Sequence, residues 1–167
     1  MSIVLIGAPG SGKSSVGKRL ARKLGLSFVD VDQRIEEVVG KPIAEIFADE
    51  GEAHFRELEE AATLELLETE EVVALGGGAI MNPRIREALV GHDVVWLKVS
   101  IGQATRRVGM NTARPLLLGN VRGRLIELLR ERTPYYEAAA TSVIDTDGKG
   151  SSAVAEELAQ QRNGEIA

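Results

Sequence analysis

Five short apolar runs rich in β-branched residues punctuate the chain: IVLI from Ile3, SFVDV around Phe28, VVAL from Val72, VVWLKV from Val94 and SVID around Val143. Their length and composition predict strands. Between them, apolar residues recur at helical spacing. Val16, Leu20 and Leu24 share one face of GKSSVGKRLARKLG, and Gly25 follows as a stop signal. A helix start is predicted near Pro42 and another at Asn82, a candidate N-cap with Pro83 in the first turn. RGRLIELLRER and SSAVAEELAQQ predict two further helices, and the final RNGEIA a frayed tail. Buried-type strands alternating with helices predict an α/β fold in three layers, α/β/α, around a five-stranded parallel sheet.

Two segments interrupt the alternation. A charge-rich helical insertion runs from about Gln33 to Glu68, and VGMNTARPLLLGNVR, from Val108 to Arg122, lacks clean periodicity. An irregular stretch of that length in a compact domain predicts a functional lid. The 167 residues suit a single domain with a substantial core. With aromatics at only 4%, Leu, Val, Ile and Ala must fill that core. The net charge of -5 argues against nucleic acid as the main partner. The absence of cysteine excludes disulfides, thiolate metal sites and cysteine nucleophiles. No run approaches the roughly 20 apolar residues a bilayer span needs, and no membrane partner is expected. The N-terminal apolar run is too short for a secretory signal, so a cytoplasmic location is expected.

GAPGSGKS, residues 7–14, follows the first strand and opens the first helix, satisfying G-x-x-x-x-G-K-[ST]. Such a loop curls backbone N–H groups around phosphate oxygens and adds the positive end of a helix. Gly10, Ser11, Gly12, Lys13, Ser14 and Ser15 are therefore candidate ATP contacts. Lys13 suits the β- and γ-phosphates, and the Ser14 hydroxyl suits Mg²⁺. The base-reading motif N-K-x-D of switch GTPases is missing. At the level of fold and length, a small-molecule kinase is favoured over a motor or transporter ATPase.

The second strand ends in FVDVDQR. In an extended backbone Asp30 and Asp32 would point the same way, at the strand end where parallel sheets place ligands. One could face the Mg²⁺ water shell and the other a substrate hydroxyl; alternatively Asp32 is the N-cap of the next helix. In the insertion, Arg56 and Glu59 are spaced as an i,i+3 pair, which taken alone reads as an ordinary exposed ion pair. Phe47 and Phe55 are expected to pack the insertion. Gly76, Gly77 and Gly78 follow the third strand, where a tight turn would need about one glycine.

Taken together, GAPGSGKSS, DVD, IFADEGEAHFRELE, LGGGAI, RPLL and RTPYY stand in the order and at about the separations found in shikimate kinases, and the resemblance extends from Ile3 to about Leu158. It implies a P-loop NTPase fold related to the nucleoside monophosphate kinases. The chain, residues 1–167, would be one kinase domain with its P-loop at 7–14, a substrate-binding insertion at about 33–61 and a mobile lid at about 109–122. It also implies transfer of the γ-phosphoryl group of ATP to the 3-hydroxyl of shikimate, with Mg²⁺, by a monomer of the aromatic amino acid pathway. By motif, Arg56 and Arg132 would hold the shikimate carboxylate, with Glu59 orienting Arg56. Asp32 and the triplet Gly76, Gly77 and Gly78 would hold its hydroxyls. Asp32, Lys13 and Arg114 would be catalytic, Arg114 from the lid and Asp32 as a candidate base. Arg107 would lie beside adenine, and Asp30 would join Ser14 at the metal. Some members carry an Asn- or Pro-bearing turn after the last strand; here it reads DTDGKGSSA. From the residues alone, a P-loop kinase for another small hydroxylated acid or sugar and a non-catalytic nucleotide-binding module remain open.

Overall fold

A computed structural model describes residues 1–109 and 121–166. Arg114 and most of the expected lid therefore lie outside the described residues. The five apolar runs form β1 (Ile3–Ile6), β2 (Phe28–Asp30), β3 (Val72–Ala74), β4 (Asp93–Lys98) and β5 (Ser142–Asp145). All pair in parallel, in the order β2-β3-β1-β4-β5, with Ile3 of β1 opposite Val72 on one side and Asp93 on the other. The central strands are buried on both faces: Val4, Leu5, Val73, Val94 and Val95 have no meaningful exposure. This double burial explains their lack of polar alternation.

Helix α1 (Lys13–Leu24) buries Val16 and Leu20, and Gly25 closes it in the left-handed conformation. Helices α2 (Val31–Val39) and α3 (Ile43–Thr69) form the insertion. Gly51 breaks α3 at φ 85°, ψ 167°, a backbone state outside the helix that re-aims the segment carrying Phe55, Arg56 and Glu59. Phe55 packs on Phe47 at 4.8 Å between ring centroids, so both rings belong to the core of the insertion, as expected. A 3₁₀ turn (Ala79–Met81) leads to α4 (Pro83–Leu89), whose Asn82 cap accepts from the Arg84 N–H at 2.9 Å. Helices α5 (Ile101–Gly109), α6 (Val121–Ala139) and α7 (Ser151–Ile166) complete the chain.

Two local expectations fail. Asp30 and Asp32 do not share an extended backbone, because β2 ends at Asp30 and α2 begins at Val31. Asp30, and not Asp32, is the N-cap, accepting from the Gln33 N–H at 3.2 Å. Nor does the chain fray from Arg162. That guanidinium donates through Nε and Nη2 to the two Asp93 carboxylate oxygens, each at 2.9 Å, and through Nη1 to the Leu158 carbonyl. Arg162 is buried, so the fork ties α7 to the start of β4. Arg162→Ala should lower stability by about 2 kcal/mol. For a chain of this size, that corresponds to a melting temperature lower by roughly 4–8 °C. Thermal melts alongside steady-state kinetics check this; both KM values should stay at wild type.

Candidate active site

The P-loop leaves the C-terminal end of β1 and the glycine triplet leaves that of the adjacent β3, so sheet order alone makes them neighbours. Gly12 caps α1 at φ 90°, a conformation disfavoured for residues with a Cβ, and no side chain caps the helix. The first-turn amides of α1 therefore have no intrahelical acceptor and offer an anion site. The Ser11 N–H is already used, donating to the Ala8 carbonyl at 3.1 Å, and its side chain is buried. Lys13 Nζ curls onto the loop, donating to the carbonyls of Gly7 at 2.8 Å and Ala8 at 3.1 Å. Ser14 is partly exposed and Ser15 exposed, both on the first turn of α1. Arg107 Nη1 donates to the Gly10 carbonyl at 3.0 Å and Nη2 to that of Thr146 at 3.4 Å. It thereby bridges the phosphate loop and the DTDGKGSSA turn after β5.

None of the triplet glycines has a positive φ; Gly78 sits at φ -94°, ψ -5°. The turn therefore needs no glycine for its conformation, contrary to the expectation of one. What the triplet supplies is space. A Cβ on Gly76 would stand 2.8 Å from Asp32 Oδ1 and 2.9 Å from Glu59 Oε2. One on Gly77 would meet Pro9 of the P-loop at 3.2 Å and Arg132 Nη1 at 3.3 Å. One on Gly78 would lie 2.7 Å from both terminal nitrogens of Arg56. Each missing side chain makes room for a different charged group, and the middle position touches the phosphate loop.

Arg56 and Glu59 pair as predicted, Nη1 to Oε1 at 2.9 Å, but the pair is not the exposed one expected of a helix surface. Glu59 is 2% exposed, with Gly76 of the triplet set directly against its carboxylate. Burial pushes its carboxyl above the ordinary value, against the pull of Arg56 and Arg132. Arg132 is itself buried on α6. One acidic group thus lies within reach of two guanidinium groups, whose forks match a small carboxylate.

The structure therefore gathers Asp32, Arg56, Glu59, Arg132 and the triplet at one place, against the P-loop. Sequence reasoning missed Tyr136, whose hydroxyl donates to the Gly77 carbonyl at 2.7 Å. Its spacing of four from Arg132, which puts both on one helical face, is the signal that could have found it. Among the described residues no group of three or more His, Asp or Glu side chains could by itself hold a metal. A Mg²⁺ that retains waters and binds chiefly through phosphates needs only one or two protein oxygens, and the Ser14 hydroxyl with an Asp30 carboxylate fits that donor set.

A model of the shikimate kinase family matches residues 9–163. The chain is 54% identical over 157 residues to a shikimate kinase of Salinispora tropica, covering 93% of this chain and 94% of the relative. It is 51% identical over 153 residues to one of Mycobacterium avium, covering 90% and 87%. Among solved structures, shikimate kinase from Acinetobacter baumannii in complex with shikimate is similar at a TM-score of 0.93 and 35% identity, over 98% of this chain and 93% of that one. A deoxyadenosine kinase from M. mycoides, 18% identical over 98% of this chain and all of that one, shares the fold at a TM-score of 0.66.

Proposed function

The chain belongs to the shikimate kinase family, and from that premise we propose how its residues divide the transfer of the ATP γ-phosphoryl group to the 3-hydroxyl of shikimate. The protein is an ATP-dependent kinase of shikimate. The observation that carries the residue assignment is the triplet's set of contacts, with acceptor-side charges at Gly76 and Gly78 and the P-loop at Gly77.

In this reading the α1 amides, Lys13 and the Ser14 hydroxyl bind the ATP phosphates. Lys13 exchanges its loop carbonyls for the β- and γ-oxygens, and Arg107 closes the adenine side. Ser14 and Asp30 would hold a Mg²⁺ ion, which would supply neutralisation of the phosphate charge. Arg56 and Arg132 grip the shikimate carboxylate, and Glu59 holds Arg56 in register. Asp32 and the Gly76–Gly78 backbone orient the hydroxyls. A loose transition state demands little early deprotonation, so Asp32 first aligns the 3-hydroxyl and receives its proton late. Arg114, from the lid proposed at about 109–122, closes on the transferring phosphoryl group.

The same reading makes the chain one kinase domain, with residues of about 33–61 serving the acceptor, acting as a cytoplasmic monomer without nucleic-acid or membrane partners. The acidic composition supports the absence of polyanion binding. No helix among the described residues is long and apolar enough to cross a membrane.

Purified protein with Mg-ATP should release ADP in proportion to added shikimate, and should not do so with gluconate. Absence of shikimate-dependent ADP release would defeat the reading. A pH prediction follows from Glu59. Its carboxyl titrates above the ordinary 4.5, so acidification protonates it early and deprives Arg56 of its anionic anchor. The KM for shikimate should rise as pH falls through that raised value while the KM for ATP holds. Glu59→Gln should remove this acidic limb and raise the shikimate KM at neutral pH. Profiles of kcat/KM for each substrate against pH make the comparison.

A further inference from the structure

Tyr136 is 1% exposed, yet its hydroxyl is partnered within the site. It donates to the Gly77 carbonyl at 2.7 Å, and the Arg132 guanidinium stands beside the same glycine, with Nη1 3.3 Å from where a Gly77 Cβ would lie. The ring is independently held, lying over Trp96 of β4 at 5.9 Å between centroids and 25° between planes. We propose that Tyr136 is a positioning residue for the acceptor: its hydroxyl holds the Gly77 backbone in place against the Arg132 guanidinium, and so sets how the two are presented to the hydroxylated ring. This rests on the assignment of Arg132 and the triplet to shikimate.

The geometry separates this role from packing. A residue needed only to fill volume beside Trp96 could be Phe, since the ring supplies the stacking and the apolar area. The oxygen adds nothing to that contact and is directed instead at the Gly77 carbonyl, beside the Arg132 guanidinium. Burial pushes the phenol up to about 12, so it remains a neutral donor at any assay pH and never becomes an anion competing for Arg132. A second tie from the same helix reinforces the segment. The guanidinium of Arg86 lies 4.4 Å from the Tyr135 ring centroid and donates to the Ile80 carbonyl at 3.0 Å. Helix α6 thus grips the glycine segment at both ends, by a hydroxyl at Gly77 and by a ring through Arg86 at Ile80.

Tyr136→Phe keeps the stack and deletes only the oxygen. The KM for shikimate should rise about tenfold while that for ATP stays within about twofold, since the lost contact serves acceptor binding. In a double-mutant cycle with Arg132→Lys the two losses should be less than additive, because both loosen the same approach of Arg132 to Gly77. Tyr135→Phe retains its ring against Arg86 and should match wild type for both substrates. If Tyr136→Phe melts below the assay temperature, the same comparison is made in the cold, with Kd values for shikimate and ATP read from the single tryptophan, Trp96. An unchanged shikimate affinity, equal weakening of both ligands, or strictly additive losses with Arg132→Lys would overturn the proposal. Each of these outcomes, in a background where wild-type protein phosphorylates shikimate, leaves the acceptor assignment standing and removes Tyr136 alone.

Discussion

Gly78→Ala should lower kcat/KM for shikimate by about 100-fold while leaving the fold intact, because misplacing a binding group by about an ångström is enough for such a loss. The backbone tolerates alanine, since Gly78 already has ordinary helical φ and ψ. The obstacle is the Cβ, which would stand 2.7 Å from both terminal nitrogens of Arg56 and 3.0 Å from its Cζ. Those atoms end a flexible side chain that is 30% exposed, so Arg56 can swing toward solvent. Its motion relieves the clash but opens the carboxylate clamp. The effect should therefore fall on the shikimate KM, with the ATP KM close to wild type and a lowered melting temperature from leaving Glu59 buried without Arg56. Kinetics with shikimate varied at saturating ATP, together with a thermal melt, decide it. Wild-type shikimate kinetics in the variant would mean that Arg56 does not hold the acceptor where the triplet places it.

The same substitution two residues earlier should do damage of a different kind. A Cβ on Gly76 would meet Asp32 Oδ1 at 2.8 Å and Glu59 Oε2 at 2.9 Å. Neither neighbour has the freedom of Arg56. Glu59 is buried and tied to the guanidinium of Arg56, so moving it disturbs an ion pair whose acidic member has no solvent to turn to. Overpacking of this sort costs about 1–3 kcal/mol. With Asp32 proposed to align the reacting hydroxyl, kcat itself should fall, by about 100-fold or more. Gly76→Ala should thus lose stability and turnover, where Gly78→Ala loses stability and acceptor affinity. Values of kcat and of the shikimate KM measured on both variants separate the two patterns. Equal behaviour of the pair would contradict the distinct neighbours assigned to each glycine.

Much of this site could be read before any fold was known, but unevenly. Residues 7–14 could be read because a phosphate loop is local: consecutive amides, three glycines and a helix start lie within eight residues. The parallel sheet was also anticipated, though not its strand order, since apolar runs without polar alternation imply a sheet covered on both faces. Asp30 and Asp32 show where such reasoning stops. Their spacing is compatible with either a strand or a cap, and the choice depended on β2 ending one residue before α2 began. Arg162 is similar. Nothing local distinguishes it from a tail residue, because its partner Asp93 lies at the far end of another strand.

The amino-acid sequence by itself determined the nucleotide loop, the α/β class, the pair of helix residues Arg56 and Glu59, and the removal of three side chains after β3. These depend on neighbours in the chain, where periodicity and backbone chemistry are sufficient. Only the tertiary structure decided that Glu59 is buried, that Arg132 and Tyr136 reach the triplet from α6, and that the three glycines serve space and not conformation. Burial and clash depend on which distant element covers a surface, and a local pattern carries no record of what will be packed against it.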